Sequence, residues 1–199
     1  MRPARVTAQS RPVSDGRTRT DAHLGGKSIT QKDNKFDDNA FCGRCGGSVT
    51  GRSDPNVERP YCSKCGHVVY LDPKLAAVVL VCQNDALLMV QRDIEPMMGR
   101  WSFPSGYVDR GEVVEEAAVR EVREETNVEV ELLGMIGLYS GGEQSVVLAA
   151  YAAQVTGGEL TAGPETQDVG YFSLDRLPPL PFPHDPSILA DWQRQFRPK

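Results

Sequence analysis

Within the stretch 106-GYVDRGEVVEEAAVREVREETNV-128, Glu121, Glu124 and Glu125 fall at i, i+3 and i+4. On a helix that spacing gathers three carboxylates within one turn. There they repel one another, and toward the helix C-terminus each is disfavoured by a further ~0.3–1 kcal/mol. The stretch carries seven carboxylates and three arginines, so simple charge pairing does not absorb its acids. Part of the cluster has a structural explanation: Glu116, Arg120 and Glu124 can form an i, i+4 ladder worth about 0.2–0.5 kcal/mol per step. Glu121 and Glu125 stand outside that ladder and gain only from a cation set between them. Hard divalent ions such as Mg²⁺ or Mn²⁺ take carboxylate oxygens. The spacing alone therefore admits two readings, a metal site or a solvated acidic face.

A second constellation precedes it. In 41-FCGRCGGSVTGRSDPNVERPYCSKCG-66 the cysteines Cys42, Cys45, Cys62 and Cys65 form two C-x2-C pairs, each followed by a glycine, Gly46 or Gly66. Two tight turns that each present two thiolates satisfy tetrahedral zinc, and glycine lets each turn curl. Four thiolates close the coordination shell, so the expected role is a structural Zn²⁺ ribbon that folds around its metal. Two disulfides in a secreted protein are the competing reading. Cys82, in 76-AAVVLVCQ-83, reads as a small buried hydrophobe.

These residues need elements to position them. A chain of 199 residues with 40% hydrophobic and 25% charged residues reads as one globular domain with an appended module. A formal net charge of −5 gives no electrostatic case for nucleic acid or a membrane surface as partner. No window approaches the 18 or so apolar residues of a membrane span. Residues 1–40 are rich in Arg, Ser, Thr and Gly without a usable period and are expected to be a disordered extension. No apolar signal segment follows Met1, so a cytoplasmic protein is expected. The Arg-rich, acid-poor opening before Asp15 leaves an organelle transit peptide as the alternative. Residues 41–71 hold the ribbon. From there to 199 the pattern is mixed α/β: a hairpin of 76–82 and 86–92 turning over 83-QND-85, and strands over 130–139, 146–155 and 168–173. A helix is expected from Val113 to Thr126, burying Val114, Ala118 and Val122. A second helix should follow 184-HDP-186, with Asp185 as its N-cap and Pro186 in its first turn. A sheet covered by helices on both faces is the economical arrangement.

The acidic stretch resembles the Nudix box: Gly, five residues, Glu, seven residues, Arg-Glu, an aliphatic, any residue, Glu-Glu, any residue, Gly, an aliphatic. Here those places hold Gly106, Glu112, Arg120, Glu121, Val122, Glu124, Glu125, Asn127 and Val128. Asn127 replaces the final glycine, and asparagine is the least costly substitute where a left-handed residue follows a helix. The run 100-RWSFPSG-106 looks like the strand and turn that lead into such a box. The resemblance implies an α/β/α Nudix sandwich with a mixed sheet over 72–199, preceded by a zinc ribbon, as in Nudix enzymes acting on NADH, FAD or ADP-ribose. It implies hydrolysis of a nucleoside diphosphate linked to another group, with Mg²⁺ or Mn²⁺ held by Glu121, Glu124, Glu125 and the Ser105 carbonyl. It gives Gly106 a motif-structural role and pairs Arg120 with Glu112. A further glutamate, catalytic and metal-binding, is expected outside the box at Glu165, with Glu143 as its competitor. Homodimerisation is expected from the family's habit.

For substrate, Arg92 and Arg100 could clamp phosphate through their planar forks of donors. Trp101 and Phe103 could stack on a base, although an aromatic in such a strand more often belongs to the core. His184 reads as a turn residue. The signature Ser-Gln-Pro-Trp-Pro-Phe-Pro of the NADH-cleaving group is missing from 138-LYSGGEQSVV-147, and 181-PFP-183 lies some fifty residues past the box. The expectation is thus a hydrolase of ADP-linked diphosphates without a unique preference for NADH. The alternative is a ligand-sensing or RNA-binding Nudix module without turnover.

Overall fold

The computed structural model describes residues 41–52, 59–70, 72–141 and 144–197. The expected extension over 1–40, its transit-peptide alternative and Glu143 lie outside the described residues.

The ribbon is built on a short antiparallel pair, β1 (Val49–Arg52) and β2 (Arg59–Cys62). The larger domain starts with β3 (Lys74–Gln83) and β4 (Ala86–Arg92). Their hairpin is one residue tighter than the expected three-residue turn. Gln83 pairs with Ala86, and the loop is Asn84 and Asp85 alone, both at positive φ. Two left-handed residues give the twist that flanking strands require, and Asn and Asp tolerate it. Two short strands follow, β5 (Trp101–Ser102) and β6 (Ser105–Tyr107), pairing with β4 and β3 respectively. Helix α1 (Val114–Thr126) is followed by long strands β7 (Val128–Gly141) and β8 (Gln144–Gly158), then β9 (Thr166–Ser173) and helix α2 (Asp185–Gln195). The seven-stranded sheet runs β5-β4-β3-β8-β7, with β6 added on β3 and β9 on β4. The β3–β8 pairing is parallel and the remaining ones are antiparallel, so the sheet is mixed as expected.

Strand β3 is buried on both sides, which explains its unbroken apolar run. Ala77, Val79 and Val81 face Ala118 and Val122 of α1, whereas Val78 and Leu80 pack in a second core with Ile188 and Trp192 of α2. The layers are therefore helix, sheet, helix. Cys82 lies against the second core, half-buried, as a small hydrophobe would.

One cap differs from expectation. Asp185 is the first residue of α2 rather than its N-cap. Its carboxylate turns back and accepts the N–H of Phe182 at 3.0 Å. That bond closes the preceding turn instead of the helix end.

Candidate active site

Arg120 organises the loop before α1. Its Nε donates to Glu112 Oε1 at 2.7 Å and its Nη2 to Glu112 Oε2 at 3.0 Å, a bidentate pair, while Nη2 also reaches the Tyr107 carbonyl at 3.1 Å. Its Nη1 holds Glu121 at 2.8 Å and Glu124 at 3.0 Å. The expected ladder is thus half made: Glu124 is a partner, but Arg120 takes Glu112 in place of Glu116, because the fork meets both Glu112 oxygens at once. These bonds hold the Glu112 carboxyl down at about 2, helped by the Asp109 N–H. Gly106 is required by contact, since a Cβ there would overlap the Glu121 carboxylate. At the other end of the helix, Asn127 takes the left-handed conformation at φ 57°. Its Nδ2 donates to the Glu159 carbonyl at 2.8 Å, a bond glycine would lack.

The box glutamates have different surroundings. Glu125 follows Ala118 and Val122 on the core-facing stripe of α1 and is 9% exposed, where an apolar residue would ordinarily stand. Its Oε2 accepts the Ser105 N–H at 3.0 Å. Burial lifts its pKa to about 8 against the pull of that N–H, and the neighbouring charge of Glu121 adds to the rise. Burial also raises Glu121, with Arg120 opposing. Glu124 points outward, its side chain 59% exposed.

Glu165 comes from the loop before β9, and backbone contacts bring that loop onto the end of α1. Gly163 N–H donates to the Glu125 carbonyl at 3.0 Å, and a Cβ on Gly163 would overlap the Glu124 carbonyl. The Glu165 carbonyl in turn accepts the Asp93 N–H at 3.0 Å.

Glu121, Glu125 and Glu165 line one cleft of about 640 Å³, together with Arg92, Ser105, Gly106 and Arg120. That is within the range of small-ligand sites. Glu124 lines the outer face of α1 instead. Arg92 is 8% exposed, with Nε donating to the Pro96 carbonyl at 2.9 Å. Its two terminal nitrogens have no hydrogen-bond partner among the described residues. Ser102 Oγ, also in the cleft wall, is buried without a hydrogen-bond partner among the described residues. Arg100 is exposed and outside the cleft lining. Phe103 is 1% exposed in the second core and also stands in the cleft lining, whereas Trp101 is outside that lining and packs edge-on against Phe172 at 4.9 Å. Among the cleft residues without a functional reading in the sequence are Tyr107, Phe182, His184 and Asp185. Their signal was faint. Only the proline-flanked Phe182 stood out.

The donor set fits a hard divalent cation, being carboxylate oxygens with raised pKa values, gathered in a cleft. They do not close on one point as the cysteines do. The thiol sulfurs of Cys42, Cys45, Cys62 and Cys65 all lie within 4.8 Å of one another, as a four-thiolate site needs. Gly46 and Gly66 have positive φ and donate back to the Cys42 and Cys62 carbonyls at 2.8 and 2.9 Å. The N–H groups of Cys65 and Lys64 favour the Cys62 thiolate, holding its pKa at about 6.

Comparison with known proteins agrees with this geometry. The NUDIX domain family matches residues 72–193. An ADP-ribose pyrophosphatase of Methanocaldococcus jannaschii is 34% identical over 130 residues, covering 63% of this chain and 76% of that protein. The NAD-capped RNA hydrolase NudC of Pseudomonas aeruginosa is 38% identical over 144 residues, covering 72% of this chain and 51% of NudC. The chain thus spans about half the length of its NudC relatives. Among solved structures, a Nudix hydrolase from Nitrosomonas europaea superposes with a TM-score of 0.70 at 29% identity, covering 77% of this chain and 91% of that one. With the box residues, the mixed sheet and the family match in agreement, this chain belongs to the Nudix hydrolase family.

Proposed function

We propose that this chain hydrolyses the diphosphate linkage of nucleoside diphosphate-linked metabolites of the ADP-ribose, FAD or NAD(H) type, releasing AMP. One observation carries the reading. Glu125 places a carboxylate on the core stripe of α1, at the wall of a cleft that also holds Glu121, Glu165 and a buried arginine with free donors. A fold has no packing reason to bury such an acid.

Glu121, Glu125 and Glu165, with Glu124 at the edge and the Ser105 backbone beside them, would hold Mg²⁺ or Mn²⁺. When bound, the ion would neutralise diphosphate and lower the pKa of water. Arg92 binds a phosphate oxygen through its unpartnered terminal nitrogens. Arg120 fixes the loop and the rotamers of Glu112 and Glu121. Glu165, which lines the cleft with the box acids, would act as general base. The relatives support the substrate class, because ADP-ribose and NAD share an adenosine diphosphate unit. The ribbon would hold one structural Zn²⁺ per chain. A homodimer belongs to the same proposal and is read by size-exclusion chromatography with light scattering.

The test is incubation with Mg²⁺ or Mn²⁺ and a panel of ADP-ribose, FAD, NADH, NAD⁺, diadenosine polyphosphates and nucleoside triphosphates, with products resolved chromatographically. AMP from an ADP-linked diphosphate is expected, without unique preference for NADH. Triphosphate cleavage alone would refute this substrate class. Tight ligand binding without turnover would replace the enzyme by a sensor.

A further inference from the structure

The run 181-PFP-183 and His184 are far from the box in sequence, yet Phe182, His184 and Asp185 stand in the wall of the same cleft as Glu121 and Glu125. The turn that carries them is closed from both ends. Phe182 N–H donates to the Asp185 carboxylate at 3.0 Å, and Asp185 N–H returns a bond to the Phe182 carbonyl at 3.2 Å. Asp185 is 3% exposed, Pro181 and Pro183 fix φ on either side of Phe182, and Ile188 and Trp192 anchor the following helix in the core. Phe182 and His184 are thus held on a rigid support.

What stands over the Phe182 ring is a cation. The Arg92 guanidinium carbon lies 5.6 Å from the Phe182 ring centroid. This side chain is more than nine-tenths buried, and its terminal nitrogens are unpartnered among the described residues. Arg92 therefore lines the cleft that holds the acids and lies against the aromatic ring. A nucleoside diphosphate presents its own groups in a matching sequence: charged phosphates first, then sugar, then a planar base. Two further rings line the cleft: Phe103, 1% exposed, and Tyr107, half-exposed, with the Lys74 ammonium over its ring at 4.6 Å.

Resting on the substrate class proposed above, we infer that Phe182 and His184 form the subsite that receives the nucleobase. Phe182 supplies a ring for stacking, which tolerates any base. His184 supplies one ring nitrogen that donates and one that accepts, in its neutral form. Asp185 is the positioning residue for both.

The experiment compares AMP with ribose 5-phosphate, which lacks the base, by calorimetric titration in Mg²⁺. It uses the full chain and its Phe182→Leu, Phe182→Tyr, His184→Ala and Tyr107→Ala variants, each checked for an unchanged melting temperature. Wild type should bind AMP about tenfold or more tightly than ribose 5-phosphate, the scale of one stacked base. Phe182→Leu should lose about tenfold in AMP affinity and leave ribose 5-phosphate unchanged. Phe182→Tyr, which keeps the ring, should restore AMP binding, and His184→Ala should weaken AMP selectively. The inference is overturned if wild type does not discriminate the two ligands. It is overturned equally if Phe182→Leu weakens both alike, if Phe182→Tyr fails to restore AMP, if His184→Ala leaves AMP untouched, or if Tyr107→Ala alone weakens AMP. Binding is read without turnover, so the substrate reading fails separately: discrimination of AMP by a protein that cleaves no ADP-linked diphosphate would refute that reading and leave the subsite in place.

Discussion

Replacing Glu125 by Gln tests the core of the site through stability as well as activity. Glutamine keeps the shape and an oxygen to accept the Ser105 N–H, but removes the charge that burial penalises. In the metal-free protein the Glu125 pKa rises from its ordinary 4.5 to about 8. An acid raised in this way stays protonated in the native state while the unfolded chain ionises, so stability falls as pH rises. The loss begins near pH 4.5 and is complete near pH 8, and at about 1.4 kcal/mol per pH unit it amounts to on the order of 5 kcal/mol. Glu125→Gln should therefore flatten the pH dependence between 5 and 8 and be the more stable protein at pH 8 without divalent ions. Mg²⁺ or Mn²⁺ should stabilise wild type and have less effect on the variant, because binding to the native state alone adds stability. With Mg²⁺ the variant should lose most of its turnover, a ligand charge having been removed. Urea unfolding followed by tryptophan fluorescence reads the right domain, since the chain's two tryptophans, Trp101 and Trp192, are both in its core clusters. The protein is dialysed free of added divalent ions, with zinc content checked so that the ribbon stays intact. Parallel pH profiles for the two proteins, or near wild-type kcat in the variant, would refute the reasoning.

Gly106→Ala should leave the fold in place and push the Glu121 carboxylate from its seat, because the added Cβ overlaps it. Displacing a catalytic group by about 1 Å costs roughly 10²-fold, so kcat/KM should fall on that scale while the melting temperature shifts little. Cys62→Ser should lower the zinc content measured by elemental analysis from about one per chain and destabilise the ribbon, with less effect on kcat. Intact disulfides in place of zinc would overturn that assignment.

The fold was legible wherever periodicity and burial coincide. The unbroken apolar run of β3 belongs to a strand covered on both faces, and Ala118 and Val122 belong to the helix stripe that covers one of them. The box was legible because its spacing is local: Glu112, just before α1, meets Arg120 across about two turns of helix. What spacing could not reveal is direction. Glu121, Glu124 and Glu125 look equivalent at i, i+3 and i+4, yet Glu125 is buried on the core stripe, Glu121 is tied to Arg120, and Glu124 faces outward. The difference depends on which arc of α1 the sheet covers, a tertiary fact. For the same reason the sequence could not show that Phe103, plausible as a stacking ring, is 1% exposed in the second core while also lining the cleft.

Chain separation misled in the opposite sense at the C-terminal end. The 181-PFP-183 run stands some fifty residues past the box, a distance that counts against it only if the intervening chain leads away. Here it leads back. Strand β8 pairs parallel with β3 on the edge opposite β6, and β9 pairs with β4; Glu165, just before β9, and the turn before α2 both return to the cleft. Locally Asp185 has the signal of a helix cap, yet an acid that closes its own preceding turn while 3% exposed rigidifies whatever that turn presents. In this domain the local motif supplies the acids, and the topology of the sheet decides which distant side chains face them.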